Sequence, residues 1–122
     1  MDIRPARSSD KPAILALYRS VAAVPGGLAR LESEVDEAYV GEFVDRSLSS
    51  GVAYVADAEG TLIGEIHAYS PGLFCFTHVW SNLTIAVAPR SQGTGVGRKL
   101  FESFMEDVIH GMPEVSRVEP GR

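Results

Sequence analysis

Residues 83–109 read LTIAVAPRSQGTGVGRKLFESFMEDVI, and the order within them decides the fold: a β-rich segment, a turn punctuated by glycine, then an amphipathic helix. That order builds an anion site. Gly93, Gly95 and Gly97 remove side chains where a backbone must approach a ligand closely. The first turn of the helix that follows offers amide donors without intrahelical partners, together with the positive end of the helix dipole. A diphosphate fits such a cradle.

Spacing separates three nucleotide-binding patterns. A Walker-type loop needs Gly-Lys followed by Ser or Thr, but Gly97 is followed by Arg98, Lys99 and Leu100. A dinucleotide fingerprint needs G-x-G-x-x-G directly after a strand and an acidic residue about twenty positions further on. This chain has G-x-G-x-G after Pro89-Arg90-Ser91-Gln92 and no acidic residue at a strand end at that distance. The third pattern, Gln92-Gly93-Thr94-Gly95-Val96-Gly97, reads Q-x-x-G-x-G after Val87-Ala88-Pro89. It resembles the acetyl-CoA-binding motif of the GNAT superfamily of N-acetyltransferases. Asp2-Ile3-Arg4-Pro5-Ala6 with Ser9-Asp10 is similar to the opening strand and helix cap of many members, and Leu62-Ile63-Gly64-Glu65 to their third strand.

The resemblance implies one acetyl-CoA-binding domain over residues 1–122, with an α/β fold whose mixed, largely antiparallel sheet is flanked by helices. It further implies acetyl transfer from acetyl-CoA to a primary amine of a small molecule or peptide, by direct attack in a ternary complex. In that chemistry the amine attacks the thioester, an oxyanion develops and the thiolate leaves, while the protein supplies positioning, an N–H donor and a route for the amine proton. By resemblance, a bulge near Leu83 to Val87 splays the fourth strand and frees the amides of Ile85 and Val87 for the thioester carbonyl and the pantetheine arm. Backbone amides of Gln92, Gly93, Thr94, Gly95, Val96 and Gly97 would hold the diphosphate, with charge from Arg98 or Lys99. No metal is expected.

After Gly111 the family continues with a fifth strand, a helix that often supplies a tyrosine as general acid, and two further strands. Here Glu114 to Val118 is the one stretch able to form a strand before Glu119-Pro120-Gly121-Arg122. The fold is therefore expected to be C-terminally truncated, which sets a second functional reading beside the enzyme: a catalytically silent acyl-CoA-binding or assembly module. A sheet short of its last strands leaves unpaired backbone and apolar surface. A homodimer or larger assembly covering Val115 to Val118, or the edge of the fourth strand, is the expected remedy.

Strand alternation places Glu65, His67 and Tyr69 on one face of the third strand, and His78, Trp80, Asn82 and Thr84 on one face of the fourth. If those faces coincide they line an acceptor cleft. His67 is the base by type, since imidazole titrates near neutrality, and Glu65 would act through a water if burial raised its proton affinity. Asn82 and Thr84 would orient substrate or water. Tyr18, Tyr39 and Tyr54 read as core residues, and Cys75 in Phe74-Cys75-Phe76 as a packed thiol.

Composition agrees with a single cytoplasmic globular domain. The hydrophobic fraction of 45% in 122 residues supplies one modest core. A net charge of −5 argues against nucleic acid as partner, because displacing counterions needs clustered Lys and Arg. No apolar run is long enough to span a bilayer or serve as a leader, and one cysteine excludes an internal disulfide.

Along the chain, Ile3 to Ala6 predicts a strand, and Ser9-Asp10 the cap of a helix with Ile14, Leu17, Tyr18 and Val21 on one stripe. Pro25-Gly26-Gly27 breaks it. Periodicity predicts a second helix from Leu31 to Leu48, a hairpin from Val52 to Ala58 and Leu62 to Tyr69, and a fourth strand from Phe76 to Val87. The last helix would bury Val96, Leu100, Phe101, Phe104, Met105 and Val108.

Overall fold

Period-two alternation on either side of Glu59-Gly60 folds residues 51–69 into an antiparallel hairpin, β2 (Gly51–Ala58) and β3 (Thr61–Tyr69). Its two turn residues both have positive φ, +55° and +91°, the mirror-image turn whose twist matches the strands. Asp57 Oδ1 accepts from the Gly60 amide at 2.7 Å and fixes it. The computed structural model describes residues 1–24, 32–69 and 81–111. In chain order β1 (Asp2–Pro5), α1 (Lys11–Ala22) and α2 (Glu37–Ser50) precede the hairpin, and β4 (Ser81–Val87) and α3 (Val96–Gly111) follow it. The sheet runs β1-β2-β3-β4, antiparallel throughout the described strands.

Each face of the sheet buries a separate apolar cluster. On one, α1 and α2 contribute Ile14, Leu17, Tyr18, Val40, Phe43 and Val44 against Ala53, Val55 and Ala86. On the other, Val96, Leu100, Phe104 and Val108 of α3 pack on Val52, Ala56, Ile66 and Ala68. The register explains the division: His67 stands opposite Ala53 and Thr84, and Glu65 opposite Val55 and Ala86, so the odd positions of β3 face α1 and α2. Gly64 faces α3, where a β-carbon would lie 2.7 Å from Leu100 Cδ1. Among the described residues no helix is long and apolar enough to cross a membrane.

Several local expectations are corrected. The second helix begins at Glu37, because the Asp36 carboxylate accepts from the Tyr39 amide at 2.9 Å and caps it there, while Glu32–Glu34 forms only a 3-10 turn. Asp10 does not cap α1 with its side chain; its carboxylate takes two bonds of 2.9 Å from Arg4 and one of 2.8 Å from the Arg7 amide. Phe101 is exposed, since it lies on the margin of the α3 stripe beyond the sheet's covered area. Pro25-Gly26-Gly27, the part of the expected fourth strand before Ser81 with Cys75, His78 and Trp80, and Glu114 to Val118 lie outside the described residues.

Candidate active site

β4 is the edge of the sheet among the described strands. The Ala88 amide donates to the Ile63 carbonyl at 2.8 Å, in register with the β3–β4 ladder. Hydrogen-bonded and non-bonded pairs alternate in an antiparallel ladder. Glu65–Ala86 and His67–Thr84 are therefore bonded pairs, whereas the N–H and C=O groups of Ile85 and Val87 point away from β3, to the open edge. The Gln92 side-chain amide reaches back to the Val87 carbonyl at 3.1 Å, as that direction requires. The irregularity lies earlier than the expected bulge at Leu83 to Val87: Asn82 and Leu83 together oppose Ala68, while Thr84 to Val87 pairs regularly.

Past β4, a 3-10 turn over Pro89–Ser91 leads into the glycine turn. Gly93 and Gly95 have φ of +83° and +90°, and β-carbons there would meet open space. Their glycine character thus answers to backbone conformation, and it leaves the concave side of the turn clear. Thr94 Oγ1 ties the turn to the Ser91 carbonyl at 2.5 Å. The first bond of α3 runs from the Lys99 amide to the Gly95 carbonyl at 3.1 Å, so the amides of Val96, Gly97 and Arg98 precede any intrahelical partner. Gly97 differs from the other two, since its β-carbon position lies 3.6 Å from Val87 Cγ2 and 3.8 Å from Ile85 Cδ1, against β4. Arg90, Arg98 and Lys99 are exposed around the turn. An open concavity with convergent amides and surrounding cations fits a diphosphate.

On the opposite face of the sheet, Glu65 and His67 are both buried, at 0% and 2% exposure. His67 Nδ1 lies 3.0 Å from each oxygen of the Glu65 carboxylate. Tyr18 Oη donates to Glu65 Oε1 at 2.5 Å and stands 3.5 Å from the same imidazole nitrogen. Burial, and after it the Glu65 carboxylate, push the Tyr18 phenol well above its usual range, so it stays a donor. The imidazole ring lies parallel to Phe43, with centroids 4.1 Å apart, and to Tyr69 at 6.2 Å, over which Arg46 sits at 5.8 Å.

The structure thus brings His67 and Glu65 together, and pairs His67 with Thr84, whose neighbour Ile85 aims its amide at the open edge. The Gln92–Gly97 turn with Arg98 and Lys99 lies on the α3 side of the sheet, while Glu65 and His67 lie beneath α1 and α2. Asn82 stands in β4, its side chain outside the described residues. Tyr18 is the residue that the sequence left in the core. Its helical stripe places it against the sheet, but a hydroxyl contact with a residue 47 positions away has no local signal.

The solved structures carry the same architecture. The chain is 28% identical to a ribosomal-protein-alanine N-acetyltransferase from Brucella melitensis, with a TM-score of 0.70 over 88% of this chain and 67% of that one. A putative acetyltransferase from Salmonella typhimurium, solved with its cofactor acetyl-CoA, matches at 22% identity and a TM-score of 0.71 over 88% and 62%. A phosphinothricin acetyltransferase from Sinorhizobium meliloti in complex with acetyl-CoA gives 22% and 0.71 over 88% and 58%. This chain therefore spans only about three fifths to two thirds of their lengths. No curated protein matches it. The acetyltransferase (GNAT) family model matches residues 17–116, from the first helix through the glycine turn and beyond α3, and the chain belongs to that family.

Proposed function

We propose that the chain transfers an acetyl group from acetyl-CoA to a primary amine of a small molecule or peptide. The observation that carries this reading is the β3–β4 register, which pairs the buried His67 with Thr84, next in the chain to the Ile85 amide on the open β4 edge that leads into the glycine turn. Backbone amides from Gly93 to Gly97, with Arg98 and Lys99, hold the diphosphate, while the Gln92 amide is taken by the Pro89 carbonyl at 3.4 Å. The outward amides of Ile85 and Val87 align the pantetheine arm and the acyl carbonyl. Acetyl-CoA, when bound, supplies the activated acyl group and a thiolate that takes up a proton on release. His67 accepts the proton that the amine nitrogen gives up as its bond to the acyl carbon forms, and Glu65 balances the imidazolium charge. Asn82 and Thr84 orient the amine.

The relatives support acetyl-CoA as donor and an amine as acceptor, and the alanine N-terminus acted on by the 28%-identical Brucella melitensis enzyme is one amine to try. The second reading is a catalytically silent acyl-CoA-binding or assembly module. Thiol release from acetyl-CoA with a panel of amines, including a peptide with N-terminal alanine, decides between them. Turnover supports the enzyme; CoA binding without turnover by any amine supports the module.

A further inference from the structure

Among the described residues, Glu65 is the one carboxylate with no exposed surface at all, and a buried carboxylate persists only where donors compensate its charge. Two donors converge on it, the Tyr18 hydroxyl from α1 and the His67 ring from its own strand. The apolar neighbours across the sheet, Val55 and Ala86, offer none. A carboxylate oxygen accepts, so where Nδ1 donates to it the ring proton stands on Nδ1 and Nε2 keeps its lone pair.

We infer that Tyr18 is a positioning residue for proton transfer: its hydroxyl fixes the Glu65 carboxylate as an acceptor against Nδ1, and thereby holds His67 in the tautomer with a bare Nε2. The inference rests on His67 being the proton acceptor proposed above, but its central claim concerns the tautomer and is measurable without turnover. Without the hydroxyl, the buried carboxylate loses one of its two charge-assisted bonds. The carboxylate is then free to turn off Nδ1, the ring proton is no longer confined to that nitrogen, and the population with a bare Nε2 falls. The ring of Tyr18 has a separate structural part, packed 5.0 Å from Phe43 and 6.5 Å from Tyr39 by centroid. Other titratable groups facing the cluster among the described residues are Tyr39 and Tyr69, with Arg46 over Tyr69.

Tyr18→Phe tests this, because it removes the hydroxyl and leaves the ring. Nitrogen NMR of the full chain labelled at histidine, with the His67 signals assigned through His67→Gln, reads the tautomer directly. The expected wild-type spectrum at pH 8 shows a protonated Nδ1 and a bare Nε2 for His67. Tyr18→Phe is expected to move the signals toward a protonated Nε2. It should also lower kcat several-fold, with KM for acetyl-CoA unchanged. Glu65→Gln, a variant of the same shape, should abolish the Nδ1–H preference even if Tyr18→Phe does not fold. A wild-type His67 with its proton on Nε2, or signals unmoved in either folded variant, overturns the inference. The expected tautomers in a protein that acetylates no amine would sustain the positioning role and defeat the proposed reaction instead.

Discussion

Replacing Gly95 by aspartate and, separately, by asparagine isolates the charge at the proposed cradle. Gly95 closes the first bond of α3 with its carbonyl and has φ of +90°, so any side chain there pays conformational strain of about 1–3 kcal/mol. Aspartate and asparagine share that strain, share their shape, and both serve as N-caps for the amides that follow. What differs is one negative charge. A carboxylate about 5 Å from a diphosphate bearing two charges is repelled by about 1.7 kcal/mol even at the dielectric constant of water, or roughly 20-fold in affinity. Exclusion of water enlarges the gap, and salt narrows it. Titration calorimetry with CoA should therefore give Gly95→Asp a Kd at least 20-fold weaker than Gly95→Asn, while thermal unfolding without ligand finds the two alike. Equal affinities in two folded variants would refute the assignment of this turn to the diphosphate.

Four further outcomes follow from the same structure. Gly64→Ala places a methyl 2.7 Å from Leu100 Cδ1 and 3.0 Å from Val96 Cγ1, and denaturant unfolding should show a loss of about 1–3 kcal/mol through overpacking. Asp10 is held below the usual carboxylate range, first by its hydrogen bonds from Arg4. The stabilisation it gives is complete above the unfolded carboxylate value of about 3.9 and lost as pH falls through the lower folded value. Asp10→Asn should thus cost about 1–3 kcal/mol near neutrality and show a flatter loss on acidification below about pH 4, read from urea titrations across pH. His67→Ala should lower kcat by about 100-fold or more with CoA affinity intact, the deficit shrinking as pH rises and free amine becomes abundant; a pH–rate profile parallel to wild type would count against it as the base. Leu83, Ile85 and Phe101 are exposed apolar side chains on β4 and α3, and sedimentation at micromolar concentration should show a homodimer; a monodisperse monomer would end that expectation.

The parts of the fold that were legible in sequence are those whose signals are local. The hairpin announced itself by alternation and by Gly60 in its turn, and the glycine turn leading into α3 by spacing alone. The acidic run before α2 misled because Glu32, Glu34 and Asp36 fit a helical face equally well; that Asp36 turns its carboxylate to the Tyr39 amide is a choice between two local bonding patterns. Phe101 adjoins the helical stripe yet is exposed, and periodicity alone does not show which margin of a stripe a sheet covers. For the site, alternation put Glu65 and His67 on one face, and the register of β3 against β4 was needed to set Thr84 beside them. Tyr18 was beyond reach because its partner comes from another element.

The sheet divides the described residues into two separately packed compartments. Side chains that would choose the acceptor descend from α1 and α2 onto the odd positions of β3, while the amides and glycines proposed for the coenzyme belong to β4 and the start of α3. Mutational drift on one side leaves the other's packing untouched, apart from residues such as Ile63 that abut both clusters. A combinatorial library confined to the sheet-facing positions of α1 and α2 should therefore diversify which amines are recognised while every member keeps one common donor half, an arrangement under which new specificities evolve without reinventing the coenzyme site.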